Sequence, residues 1–89
     1  MRQGTVVISR AGHDQGDWFA VVGLEGDFAF LADGKARKLE RPKRKRLRHL
    51  AKTLTVLDAA DYQTDRQLRK TLSKLSACFE KEGPDLGEG

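Results

Sequence analysis

The chain has 89 residues and a formal net charge of +4 at pH 7. A chain of this length forms one small domain around one modest core, without a second lobe to enclose a deep cleft, which argues against an enzyme. One cysteine excludes an intramolecular disulfide, and no apolar run approaches the roughly 18 residues of a membrane span, so we expect a cytoplasmic protein without a membrane partner.

Two β-prone runs near the start predict a hairpin. Thr5–Ser9 and Trp18–Val22 flank a loop of small and polar residues that contains two glycines, Gly12 and Gly16. The second run is apolar on both faces, as is typical of a central strand in a small barrel. We expect Gly16 to take a positive φ where the loop re-enters the strand, because glycine does so without steric cost.

Two more strands are predicted from the next segment. Phe28–Ala32 alternates as a third strand whose two phenylalanines we expect in the core, and Asp33-Gly34 predicts a tight turn into a fourth strand, Lys35–Glu40. In the second strand, one of Trp18 and Phe19 should point into the barrel. The other either packs in the core, which is the favoured interpretation, or forms a stacking surface for a base.

Most of the positive charge is concentrated in residues 35–52, which we call the basic strip. It holds ten Lys and Arg residues and one Glu, a charge of +9, against −3 for residues 1–34 and −2 for residues 53–89. Phosphate backbones neutralise such a segment, whereas a merely solvated surface usually alternates in sign. Its arginines favour RNA, since guanidinium groups bind phosphates and stack on bases. We predict RNA contacts by Lys35, Arg37, Lys38, Arg41, Lys43, Arg44, Lys45, Arg46, Arg48, His49 and Lys52.

The segment 43–57 is ambiguous in the sequence. Pro42 ends strand pairing before it, and its leucines recur at helical spacing while its threonines and valine favour a strand. The extended interpretation is preferred. A helical segment would instead suit an anionic membrane surface.

A helix is predicted after the connector 58–63. Thr64 and Gln67 form a capping box, and the apolar stripe Leu68, Leu72, Leu75 and Phe79 predicts docking on the barrel, with a partner helix as the alternative. Tyr62 should help to pack the helix onto the barrel. Gly83-Pro84 should end the helix and leave a disordered acidic tail, 83–89.

No catalytic arrangement is evident. The two histidines, His13 and His49, and the cysteine lie in different predicted elements, without metal-ligand spacing, a nucleophile–base pair or a phosphate-binding loop. We expect no cofactor, no metal and no small-molecule substrate.

The hairpin resembles the KOW motif of ribosomal proteins and transcription elongation factors. The resemblance depends on Gly4, on Val6-Val7-Ile8, on the loop glycines around Asp14, and on Ala20-Val21-Val22. The usual Lys or Arg between the two glycines is absent, and His13 and Gln15 stand there instead. The resemblance implies that the hairpin loop orients bound RNA, through Gly12, His13, Asp14, Gln15, Gly16 and Trp18.

The resemblance continues over residues 32–50, which look like the corresponding segment of the fourteenth large-subunit ribosomal protein of archaea and eukaryotes and its small bacterial relatives. It implies an SH3-like, partly open barrel whose final strand lies near Leu47–Leu50, and a role in binding ribosomal RNA or ribosomal particles. We expect a mainly β protein with three parts: a barrel at 1–57, a connector and docked helix at 58–82, and the tail. The alternative function is a protein-interaction module of the transcription or translation machinery, which binds a protein partner through the barrel edge and the leucine helix.

Overall fold

The structure, a computed structural model, describes the backbone of residues 1–81 and the side chains of residues 1–77. Within these residues, five antiparallel strands form one sheet in the order β4-β3-β2-β1-β5, so that the last two strands in sequence form opposite edges. A 3-10 turn, Leu47–His49, joins those edges, and a second one, Ala59–Tyr62, leads to the helix. The elements are β1 (Thr5–Ser9), β2 (Trp18–Glu25), β3 (Phe28–Ala32), β4 (Lys43–Arg46), β5 (Leu50–Val56) and α1 (Asp65–Lys81).

Helix α1 covers one face of the sheet, and we call the apolar cluster between them the helix-side core. Leu68 and Leu72 of α1 are buried there among side chains of β1, β2 and β3. Burying a leucine contributes about 2 kcal/mol, so these two residues account for much of the docking free energy. The predicted docking of the helix and the packing role of Tyr62 are confirmed, while the side chain of Phe79 lies outside the described part.

The opposite face buries a second cluster, the inner core, which no helix covers in residues 1–81. The sheet bends around this face, helped by irregularities in the β1–β5 and β2–β3 pairings. Strands β4 and β5 do not pair, so the sheet remains open between them. The inner core consists of Val7, Phe19, Val21, Ala29, Leu31 and Leu50, with Leu47 packed against it.

The predicted fourth strand, Lys35–Glu40, is wrong. Instead, Asp33 organises a loop: its Oδ1 accepts hydrogen bonds from the backbone N–H groups of Lys35 and Arg37, at 2.8 and 2.9 Å. The N–H groups of Asp33 and Gly34 donate to the Arg37 carbonyl at 2.9 and 3.0 Å. These local bonds satisfy the backbone groups that a strand would have used, and β3 pairs with β4 beyond Pro42 instead.

The extended interpretation of residues 43–57 is confirmed, but the final strand begins later than the predicted Leu47–Leu50, because Leu47–His49 forms the 3-10 turn. Strand β5 contains a bulge in which Val6 of β1 faces three residues, 53–55. Thr53 Oγ1 donates to the Val6 carbonyl at 2.7 Å and so replaces a ladder bond. Leu54, at the tip of the bulge, is 100% exposed.

The start of α1 is fixed by its predicted cap and by contacts with the β3–β4 loop. Thr64 Oγ1 accepts a hydrogen bond from the N–H of Gln67 at 3.1 Å, which is one of the two bonds of the predicted capping box; the reciprocal bond from the Gln67 side chain is absent from the described part. Asp65 Oδ1 accepts one from the N–H of Leu39 at 2.7 Å, which ties the loop to the helix. The predicted helix stop at Gly83-Pro84 and the tail 83–89 lie outside the described residues.

We expect Gly34→Ala to lower the free energy of unfolding well beyond the effect of Gly26→Ala in urea denaturation. Both glycines have positive φ, +77° and +59°, which costs an alanine about 1 kcal/mol. A Cβ at Gly34 would also overlap the Asp65 carbonyl oxygen of α1, whereas a Cβ at Gly26 meets nothing within 4 Å. The excess loss should be about 1–3 kcal/mol. Equal losses would contradict the close packing of the loop on the helix.

Candidate nucleic-acid interface

Strand β4 divides four consecutive cations of the basic strip between the two faces of the sheet. Side chains alternate along a strand, so Lys43 and Lys45 stand opposite inner-core residues of β3, while Arg44 and Arg46 lie on the other face. The side chains of Lys43 and Lys45 are only 27% and 10% exposed. Both arginines are exposed.

Asp14 of the β1–β2 loop binds both lysines of β4. Its Oδ2 lies 2.5 Å from the Nζ of Lys43, and its Oδ1 lies 2.8 Å from the Nζ of Lys45. Ser9 Oγ donates to the same Oδ1 at 2.7 Å, and Lys45 Nζ donates to the Ala11 carbonyl at 2.7 Å. One carboxylate therefore joins the hairpin loop to an edge strand about 30 residues away.

The backbone of the loop directs Asp14 toward the strand. Gly12 and Gly16 have φ values of +87° and +92°, which confirms the expectation for Gly16. The N–H of Gly16 donates to the Ser9 carbonyl at 2.8 Å, and that of Asp17 donates to the Asp14 carbonyl at 2.9 Å. These bonds close a compact loop with the Asp14 carboxylate turned inward onto the lysines.

The pKa of Asp14 is governed by two opposing effects. Burial disfavours the carboxylate and raises the pKa, but hydrogen bonds from Lys43, Lys45 and Ser9, with the positive charge of Lys43, more than offset it. The net result is a pKa far below the usual range for an aspartate. Asp14 is therefore a carboxylate at neutral pH and neutralises charge within the basic strip.

Arg44 and Arg46 lie over an aromatic ring on the face of the sheet opposite the inner core. The guanidinium carbons lie 3.9 and 5.0 Å from the ring centroid of Phe28, within cation–π range. Phe28 is half-buried and belongs to neither core, as is also true of Phe30, so the expectation that both phenylalanines are core residues is not met. Phe28 instead provides a surface that holds two arginines side by side.

The remaining basic residues surround β4. None of the strip's other Lys or Arg side chains forms an ion pair with a described side chain, and His49 is half-buried. The eight solvent-exposed Lys and Arg residues of the strip, which we call the exposed cations, are Lys35, Arg37, Lys38 and Arg41 in the β3–β4 loop, Arg44 and Arg46 in β4, and Arg48 and Lys52 beyond it.

The residues predicted to orient RNA do not share one environment. His13 and Gln15 are exposed at the loop tip, while Asp14 is occupied by the lysines. Phe19 is buried in the inner core and Trp18 packs at the margin of the helix-side core, so the prediction that one of the two points inward is confirmed. Trp18 also lines a groove between β2 and α1.

Sequence reasoning missed the contact between Asp14 and the lysines. A signal was present: Lys43-Arg44-Lys45-Arg46 alternates lysine and arginine with the period of a strand, which separates the two residue types by face. Lysines on a buried face need an anion, and Asp14 is the acid of the predicted hairpin loop that lies between its glycines. This alternation went unnoticed because only the total charge of these residues was considered.

No helix within residues 1–81 is long and apolar enough to cross a membrane. Among the described side chains, no three or more His, Cys, Asp and Glu residues lie close enough together to hold a metal ion.

We expect the stability of Asp14→Asn to depend less on pH than that of the original chain. A lowered folded-state pKa stabilises the fold fully above about pH 5, and the contribution is lost as the pH falls toward 2. The variant lacks this contribution, and at pH 7 its free energy of unfolding should be about 2 kcal/mol lower. Urea denaturation at several pH values measures both effects.

The matched control is Asp17→Asn, which removes the same charge from an exposed side chain of the same loop. Its free energy of unfolding at pH 7 should stay close to that of the original chain. If the free energy of unfolding varied with pH in the same way for Asp14→Asn and for the original chain, the Asp14 carboxylate would not be what holds β4.

Comparison with known proteins identifies no family for this chain. A scan against models of protein families finds no match, and a search of curated proteins finds none with significant similarity.

Proposed function

We propose that this chain is a non-enzymatic RNA-binding protein that contacts RNA phosphates with its exposed cations. The observation that carries the proposal is that the lysines and the arginines of β4 have different surroundings. Asp14 forms ion pairs with both Lys43 and Lys45, whereas Arg44 and Arg46 are exposed and held over Phe28. Arg44 and Arg46 are therefore the cations of β4 that a phosphate can reach.

The chemistry of these arginines suits RNA. A guanidinium group that lies on an aromatic ring keeps its N–H donors free at the edge, where they can bind phosphate oxygens in pairs. The stack also restricts the arginine rotamers, which reduces the entropy lost on binding. Unpaired bases can stack on the same planar groups, as they do in irregular RNA.

The proposed fold is the SH3-like, partly open barrel that the KOW resemblance implies. Three features support it: five antiparallel strands in the order β4-β3-β2-β1-β5, a 3-10 turn between β4 and β5, and an inner core that no other layer covers in the described part. Asp14 attaches the edge strand β4 to the β1–β2 loop by ion pairs.

Within this proposal the RNA is ribosomal. The resemblance over the first 50 residues implies ribosomal RNA or ribosomal particles, and the eight exposed cations supply the charge that phosphate binding requires. The protein would be a ribosomal protein or a ribosome-associated factor in the cytoplasm, part of a ribonucleoprotein.

A protein-interaction module is the second candidate, and one observation favours it. Strand β5 has a free edge, and two of its apolar side chains are exposed: Leu54 at 100% and Val56 at 44%. Leu68 and Leu72 are buried against the sheet, so the leucine stripe does not offer them to a partner. A protein partner would therefore contact the β5 edge.

We expect the double variant Arg44→Ala/Arg46→Ala to bind RNA more weakly with little change in folding stability. Removing two phosphate contacts should weaken binding about tenfold and lower the slope of log K against log salt by about 1.5. Fluorescence anisotropy with a labelled ribosomal RNA fragment measures both. The arginines form no ion pair with described side chains, so their removal leaves no buried charge.

The matched control is Lys43→Ala/Lys45→Ala, which removes the same charge from the same strand. This variant should lose stability, because Asp14 is left without its cations, and its salt slope should stay close to that of the original chain wherever it is folded. Equal changes in salt slope for the two double variants would show that β4 acts only through its total charge.

We expect the tagged protein to sediment with ribosomal particles in a sucrose gradient of cell lysate at about 100 mM salt and to shift toward the top at about 500 mM, because phosphate-dominated binding weakens with salt. The Arg44→Ala/Arg46→Ala variant should shift at lower salt. Sedimentation that persists at high salt and is lost in Leu54→Ser would favour the protein-interaction module. A protein that stays at the top in both gradients would refute the ribosomal assignment.

A further inference from the structure

A groove of about 870 Å³ lies between α1, the start of β2 and the β3–β4 loop. Trp18 lines it from the sheet, Lys35 from the loop, and Arg69, Lys70 and Lys74 from the helix. A volume of this size holds about one or two nucleotides and is too small for a double helix.

The groove has an excess of positive charge that the protein does not neutralise. Four cations line it against two acids, Asp17 and Asp33, and Asp33 is occupied by the backbone N–H groups of its own loop. None of the four cations forms an ion pair with a described side chain. An anionic ligand would lower their mutual repulsion, so the charge favours phosphate.

The groove is continuous with the basic strip. Lys35 is both the first residue of the strip and part of the groove wall, and the chain runs from it through Arg37, Lys38 and Arg41 to β4. A nucleic acid strand that leaves the β4 arginines along this loop therefore meets the groove next. One RNA could contact both places, since the loop between them carries three exposed cations and one exposed acid, Glu40.

We propose, on the basis of the proposed RNA-binding function, that the groove binds a single-stranded segment of the same RNA. The phosphates of this segment contact four cations, Lys35, Arg69, Lys70 and Lys74. The RNA segment passes beside Trp18. The RNA that contacts the β4 arginines thus also places an unpaired segment in the groove.

The test compares an RNA hairpin alone with the same hairpin carrying a single-stranded extension of about eight nucleotides. The extension should strengthen binding to the original chain about tenfold or more, through two or more additional phosphate contacts. In Arg69→Ala and in Lys70→Ala the increase in affinity from the extension should be about threefold smaller. The slope of log K against log salt for the extended RNA should fall by about 0.7 in each variant.

The matched control is Arg66→Ala, an exposed cation of the same helix that does not line the groove. It should keep the full gain from the extension. A second readout is the fluorescence of Trp18, the one tryptophan of the chain, which should change when the extended RNA binds and not when the hairpin alone binds.

The outcomes separate the two proposals. Equal gains in Arg66→Ala, Arg69→Ala and Lys70→Ala, with no change in Trp18 fluorescence, would overturn the groove proposal. If Arg44→Ala/Arg46→Ala still weakens binding to the hairpin alone, the proposed function stands without the groove. If neither RNA binds the original chain, the proposed function falls as well.

Discussion

The pairing of Asp14 with Lys43 and Lys45 is the interaction on which the rest of the site depends. Strand β4 is four residues long and pairs only with β3, so its own ladder holds it weakly. Its two inward lysines would lie against an apolar core without an anion, which is a costly arrangement. Asp14 removes that cost and attaches the strand to the hairpin loop, and the alternation of the strand then turns the arginines outward.

This arrangement assigns different tasks to lysine and arginine in one short strand. A lysine ammonium is a compact charge that suits a carboxylate in a confined place, whereas a planar guanidinium suits an aromatic surface and a phosphate. Lys45 donates to Asp14 and to the Ala11 carbonyl, while Arg44 lies 3.9 Å from the centre of the Phe28 ring. The net charge of the basic strip therefore overstates the number of cations that a ligand can reach.

The elements that depend on a local sequence pattern could be predicted from the sequence. The hairpin, the third strand and the capped helix follow from alternation, glycine placement and a threonine cap, and the structure contains all three. The fourth strand failed because Asp33 satisfies the backbone of its own loop, and a side-chain acceptor of this kind competes with a strand without altering the hydrophobic pattern. In the site, the position of the charge was predictable. Which cations remain exposed was not, because that depends on Asp14, about 30 residues away in sequence.

The bulge in β5 has a consequence for copies of the chain that come close together. A sheet edge with regular, unpaired backbone groups is a template on which a second chain can add a strand. In β5 the Thr53 hydroxyl displaces a ladder bond, and one residue of β1 faces three of β5, so the edge is irregular and twisted. Neighbouring copies can then crowd together without polymerising edge to edge, and Leu54 is left for side-chain contacts alone.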